Sequence, residues 1–195
     1  MNQPLNKNKR QGTSTLRIIA GQWRSRRIPF ASFAGVRPTS DRIRETLFNW
    51  IQPIIEGADC LDLFAGSGAL SFEALSRGAN RCIMIDQDIR VIQQLQQNVS
   101  LLDAGNAEII WSDTLNYLSS PPWPFDIVFL DPPFRDNILE DCCFRLEQSR
   151  WLAPQARIYL ECDKRHQLTE LPESWELVHS KSAGQVAYHL AQRTT

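Results

Sequence analysis

The sequence predicts an α/β fold: a mostly parallel sheet with helices on both faces and an antiparallel hairpin at the C-terminal end. Three observations predict it. From Asp59 onward, short apolar runs alternate with stretches whose apolar residues recur at helical spacing. Two of those runs end in motifs of unusual composition, Asp62-Leu63-Phe64-Ala65-Gly66-Ser67-Gly68 and Asp131-Pro132-Pro133-Phe134. The chain closes with two alternating runs, Trp175 to Lys181 and Gln185 to Ala191, joined by the turn Ser182-Ala183-Gly184.

The elements follow in order. Leu16 to Ile28 alternates apolar and basic residues around Gly21-Gln22, which predicts a small arginine-rich hairpin with Trp23 among its cations. A loop containing Gly35 and Pro38 leads to Ser40, an N-cap residue type, and Ile43, Leu47, Trp50 and Ile51 then repeat at helical spacing until Pro53. Cys60 to Phe64, Arg81 to Ile85, Ala107 to Trp111, Phe125 to Leu130 and Arg157 to Glu161 read as strands. Between them lie helical patterns over Ala69 to Arg77, closed by Gly78, around Ile92, Leu95, Val99 and Leu102, over Thr114 to Leu118, and over Ile138 to Leu146. Strand–helix–strand succession implies right-handed crossovers and a parallel sheet, with the terminal hairpin adding an antiparallel strand at one edge. Ligands bind such sheets beyond the strand carboxyl ends, so both motifs should face one cleft.

The 195 residues, 43% hydrophobic and 22% charged, suit a single domain with a short extension. The division expected is a disordered basic tail over residues 1–15, a hairpin-and-helix extension over 16–53, and the main α/β domain over 54–195. No apolar run approaches a membrane span, and no secretory signal is visible, so a cytoplasmic monomer without membrane attachment is expected. Five cysteines without a CxxC pair, and three scattered histidines, predict reduced core thiols and no metal site. The net charge of −1 conceals an asymmetry. Ten basic residues and one acid lie between Met1 and Arg44, leaving 11 basic and 21 acidic residues for the rest. Arginine forks pair with phosphate oxygens, so Arg17, Arg24, Arg26, Arg27, Arg37 and Arg42 are candidate contacts to a phosphate-rich partner. Trp23 would add a stacking surface.

The glycine turn Phe64-Ala65-Gly66-Ser67-Gly68 is neither a dinucleotide fingerprint, since the sixth position is Ser71, nor a phosphate-cradling P-loop, since no Gly-Lys-Ser/Thr follows. Its glycines let backbone approach a ligand, and the following helix N-terminus offers free N–H groups to a carboxylate. A tight structural turn is an equal reading of this motif alone. Asp86 ends the second strand near the spacing at which an acid binds a ribose diol; the alternative is a helix N-terminal role, better filled by Asp88. Asp131-Pro132-Pro133-Phe134 is sharper. An aromatic exocyclic amine is a weak nucleophile because its lone pair is delocalised. Hydrogen bonds to the Asp131 carboxylate and the Pro132 carbonyl would favour a pyramidal nitrogen, the paired prolines Pro132 and Pro133 would fix that acceptor pair, and Phe134 would stack on the base.

With these motifs, in this order, the chain resembles the class I S-adenosylmethionine-dependent methyltransferases of the amino-methylating branch, whose fold is Rossmann-like. The resemblance implies S-adenosylmethionine as cofactor, held by Phe64, Ala65, Gly66, Ser67, Gly68 and Asp86. It implies that Asp62 holds either the turn amides or the cofactor's amino group. It also implies that Asp113 accepts from the adenine amine, for which an N-cap of the helix at Thr114 is the alternative. Three further segments, Leu16 to Arg24, Arg37 to Phe48 and Ala183 to Tyr188, resemble the RsmD family of 16S rRNA guanine-N2 methyltransferases over roughly Leu16 to Arg193. That resemblance implies methylation of a guanine N2 amine in 16S rRNA, within the assembled small ribosomal subunit. Two other readings use the same residues: an adenine-N6 DNA methyltransferase, and a cofactor-binding assembly factor without catalysis.

Overall fold

The computed structural model describes residues 13–31, 39–134, 138–166, 168 and 170–194. In chain order the elements are β1 (Thr13–Arg17), β2 (Arg27–Ala31), α1 (Asp41–Trp50), β3 (Asp59–Asp62), α2 (Ala69–Ser76), β4 (Arg81–Asp86), α3 (Ile89–Leu102) and β5 (Ala107–Trp111). They continue with α4 (Thr114–Tyr117), β6 (Phe125–Leu130), α5 (Leu139–Gln148), β7 (Leu152–Asp163), β8 (Trp175–Ala183) and β9 (Val186–Arg193). Seven strands form one sheet in the order β5-β4-β3-β6-β7-β9-β8. β3 to β7 are parallel to one another, and β9 is antiparallel to both β7 and β8. The antiparallel strand is therefore one place in from the edge, because the hairpin folds β9 back against β7 and leaves β8 outermost. The terminal hairpin thus completes one edge of the sheet, as expected, with its antiparallel strand next to the outermost one.

Strand alternation explains why both faces need cover. Cys60, Cys82, Met84, Ile127, Phe129 and Tyr159 pack with α1, α2 and α3, whereas Leu61, Ile83, Ile85, Val128, Leu130, Ile158 and Leu160 pack with α4 and α5. All five cysteines are buried free thiols.

The N-terminal segment departs from a simple hairpin. β1 and β2 pair antiparallel with Arg17 opposite Arg27, so the strands lie outside Gly21-Gln22 and β1 starts at Thr13. Residues 18–26 form a loop seated on α2. Its reason is chemical: every residue of α2 is buried, including Ser71, Glu73 and Ser76, and the loop supplies partners that water would otherwise provide. Ile19 and Ala20 donate backbone N–H groups to Glu73 at 2.8 and 3.0 Å, Gln22 donates to the Ser76 carbonyl, and Trp23 N–H donates to Ser76 Oγ at 3.0 Å. Arg77 and the buried Arg44 complete the charge balance of Glu73 at 2.7 and 3.5 Å. Trp23 is only 7% exposed and sits in the core with Leu16, Ile18, Ile28 and Phe30. The expectation of a stacking surface at Trp23 is therefore corrected.

Candidate functional site

Sheet topology fixes the place. The chain runs from β3 outward through β4 and β5, then returns to β6 on the other side of β3, so the β3/β6 carboxyl ends form the switch point where open α/β sheets bind ligands. Asp62 ends β3 and Asp131 immediately follows β6; Asp62 is in register with Phe129, two residues before Asp131. The two motifs therefore meet at one crevice.

After Asp62 the chain turns through Leu63 and Phe64 and enters α2 at Gly68. Gly66 and Gly68 have φ of 50° and 75°, left-handed values that favour glycine at this bend. Asp62 staples the turn from below, accepting from the Phe64 N–H at 3.3 Å and from the Ser71 hydroxyl. Asp86 staples it from the side, accepting from the Gly66 N–H at 3.0 Å and the Asp88 N–H at 2.8 Å. Asp88 caps α3, and Asp113 caps α4 by accepting from Asn116 N–H at 3.1 Å. Asp113 is exposed. A Cβ on Gly68 would fall 2.5 Å from the Phe72 ring and 2.8 Å from Leu95, so part of this glycine's role is packing.

Asp131 accepts from the Thr39 hydroxyl at 3.4 Å. Pro132 is buried beside it, while Pro133 and the Phe134 ring are exposed. Continuing the alternation places Asp86, Asp62, Asp131 and Glu161 on one face, at the carboxyl ends of four neighbouring strands. Their electrostatics reflect that crowding. Burial, with Asp86 nearby, pushes the Asp62 carboxyl up to about 6 despite the Ser71 and Phe64 hydrogen bonds. Burial, then Glu161 and Asp62, raise Asp131 well above the usual carboxylate range, and burial raises Asp86 and Glu161. Such a row stabilises a cation or a set of N–H donors placed against it.

Thr39, Glu161 and Arg44 escaped the sequence reading. Glu161 carried a weaker signal: it closes the apolar run Arg157 to Glu161, although β7 itself continues to Asp163. Thr39 borders a second feature, a pocket of about 380 Å³ lined also by Thr15, Arg17, Arg27, Phe30, Ser40 and Arg44. Arg17 and Arg27 meet there as cross-strand partners, with Asp41 lying 3.8 Å from Arg17. Arg24 and Arg42 are exposed elsewhere, and the Arg26 guanidinium donates to the Leu101 carbonyl at the end of α3. Arg37 lies outside the described residues. Among those described, no cluster of side chains is placed to hold a metal ion, and no helix is long and apolar enough to cross a membrane.

Sheet order, switch point and glycine turn together define a class I methyltransferase fold. The family model described as "Conserved hypothetical protein 95" matches residues 16–192, and the chain belongs to that family, the RsmD family. It is 50% identical to the ribosomal RNA small subunit methyltransferase D of Escherichia coli K12, over 93% of this chain and 92% of that protein. The Haemophilus influenzae protein of the same name is 45% identical, over 91% and 93%. Among solved structures, the E. coli protein yhhF superposes with a TM-score of 0.88 at 48% identity, covering 93% of this chain and 99% of that one.

Proposed function

We propose that this protein transfers a methyl group from S-adenosylmethionine to the exocyclic N2 amine of a guanine in the 16S rRNA of the small ribosomal subunit. The observation that carries the reading is the meeting of Asp131-Pro132-Pro133-Phe134 with the Asp62–Gly68 turn at the β3/β6 switch point. The relatives named ribosomal RNA small subunit methyltransferase D support rRNA as the substrate class.

The residues fit the cofactor. Asp62 and Asp86 carry desolvated carboxylates beside the glycine turn, and the methionine end of S-adenosylmethionine is cationic at its sulfonium and ammonium groups. Bound there, S-adenosylmethionine would supply an electrophilic methyl, its S–C bond exchanged for the new N2–C bond, and would become a neutral thioether. Phe64, Ala65, Gly66, Ser67 and Gly68 shape the turn that receives it, Asp86 orients that turn, and Asp113 stands beyond β5 for the adenine. Asp131 and the Pro132 carbonyl accept from the two N2–H bonds and aim the nitrogen lone pair. Pro133 stiffens that acceptor pair, and the exposed Phe134 ring stacks on the guanine. The N2 proton lost once the new bond forms passes to the Asp131 carboxylate that already accepts from it, and no metal or covalent enzyme intermediate is required.

The segment over residues 16–53 grips RNA phosphates in this reading. Arg17 and Arg27 are best placed, because their pocket shares Thr39 with the catalytic acid; Arg24, Arg26, Arg37 and Arg42 extend the basic surface. The deciding experiment maps N2-methylguanosine in 16S rRNA from cells with the gene, without it, and with an Asp131→Ala copy. The modification should vanish in the second and third strains. Its persistence in the deletion strain would overturn the reading.

A further inference from the structure

We infer that Glu161 is a specificity-determining residue that accepts a hydrogen bond from guanine N1–H while Asp131 holds the N2 amine. The inference rests on the guanine-N2 reading above and adds the device that selects the base.

Glu161 stands beside Asp131 in the sheet. β6 and β7 are parallel neighbours with Phe129 opposite Tyr159 and Leu130 opposite Leu160, so the next step up the crevice sets Asp131 against Glu161. Adjacent strands lie about 4.8 Å apart, a separation that lets two carboxylates address neighbouring groups on one base edge. Glu161 is only 5% exposed, a degree of burial that is rare for an acid. The Tyr159 hydroxyl donates to its Oε2 at 2.7 Å and fixes the side chain, while Oε1 has no hydrogen-bond partner among the described residues. Glu161 also borders a small recess of about 30 Å³ with Pro132, Pro133 and Phe134, one that Asp131 does not line. A near-buried carboxylate with one oxygen anchored and the other not fully enclosed, next to a second acid, is placed to accept from ligand donors.

Guanine supplies them. Its N1–H and N2–H groups are adjacent donors on a single edge, whereas adenine presents a lone pair at N1 next to its amine. A paired Asp131 and Glu161 would be satisfied by the first edge and repelled by the second, and leaving such buried acceptors unmet is what makes discrimination large. The neighbouring acids support the same logic, since burial raises both carboxyls and N–H donors relieve the repulsion between them.

The test compares guanine with 2-aminopurine, which keeps the 2-amino group but has an unprotonated N1. Small subunits would be reconstituted from 16S rRNA carrying one base or the other at the methylated position, and N2-methyl product followed by mass spectrometry. Wild-type enzyme should favour guanine in kcat/KM. The isosteric Glu161→Gln variant, whose amide can donate to N1, should shrink that preference by roughly tenfold or more. Tyr159→Phe, which keeps the acid and frees its anchor, should shrink it by less. An unchanged guanine/2-aminopurine ratio, with both rates lowered equally, would make Glu161 a structural acid and overturn the inference while leaving the methyltransferase reading intact. Wild-type enzyme that methylates neither base would overturn both.

Discussion

Gly21 lies so close to Ser76 that a Cβ built on it would sit 1.7 Å from the Ser76 carbonyl oxygen. That close approach lets the loop over residues 18–26 lie flat on α2, where it meets the hydrogen-bonding needs of Glu73 and Ser76 and buries Trp23. Gly21→Ala should lift the loop, because the obstacle is backbone and the φ of +80° is itself unfavourable for alanine. The expected cost is about 3 kcal/mol, the scale of losing a buried tryptophan's packing. Thermal unfolding and trypsin cleavage at Arg24 and Arg26 would measure it. Gly57→Ala is the control: it has a similar φ of +76° but open space around it, so only about 1 kcal/mol should be lost.

The two glycines of the cofactor turn should separate by phenotype. A side chain on Gly68 enters the core against Phe72 and Leu95, so Gly68→Val should destabilise the fold by about 2 kcal/mol or more before binding is considered. Gly66→Val is expected instead to lose S-adenosylmethionine, because Gly66 takes a φ of 50° in the turn proposed to receive the cofactor. Calorimetric titration on whichever variant remains folded at 20 °C distinguishes them. Wild-type affinity in folded Gly66→Val protein would place the nucleoside elsewhere.

These contrasts show what sequence pattern can and cannot carry. The pattern of short apolar runs identifies the strands of the parallel sheet because the central ones are covered on both faces, although β7 begins at Leu152, five residues before the run read for it. It does not locate β9 between β7 and β8, since hairpin residues fix which strands pair but not which one docks on the sheet. It misjudges Trp23 for a related reason. A tryptophan among arginines reads as surface, yet the arginines are exposed while the ring turns inward onto α2. Asp62, Asp86 and Asp131 are legible because they end apolar strands. Glu161 closes an apolar run inside β7, which continues to Asp163, and only register sets it beside Asp131.

Asp62 should leave a pH signature on stability. Its carboxyl, ordinarily at 3.8, is pushed up to about 6 in the fold, chiefly by burial. Between those values the native state retains a proton that the unfolded chain has released, so its contribution is present in acid and is lost as pH rises through about 6. The full loss is about 3 kcal/mol. Asp62→Asn removes that titration, so its stability relative to wild type should rise between pH 4 and pH 7. Urea unfolding of both proteins at three or four pH values reads the difference directly; a constant difference would mean that Asp62 titrates normally in the apo fold.

The arginines on either side of the β1–β2 pair should differ in what they do. Arg17 and Arg27 face each other across the two strands and line the pocket that shares Thr39 with Asp131, whereas Arg26 is engaged with the end of α3. If phosphates of the substrate RNA occupy that pocket, the Arg17→Ala/Arg27→Ala variant should bind small subunits more weakly. Its log–log salt slope should shrink by up to about one unit for each phosphate no longer neutralised, because every arginine–phosphate pair releases condensed counterions. Affinity for S-adenosylmethionine should stay at the wild-type level, since the cofactor turn lies on β3 and α2. Arg26→Ala should instead lower the melting temperature slightly, through the loss of one hydrogen bond to Leu101, and change the salt slope little. A filter-binding titration from 50 to 300 mM salt, with about five points per variant, separates these outcomes. An unaltered slope in the double variant would assign Arg17 and Arg27 to solubility rather than to RNA.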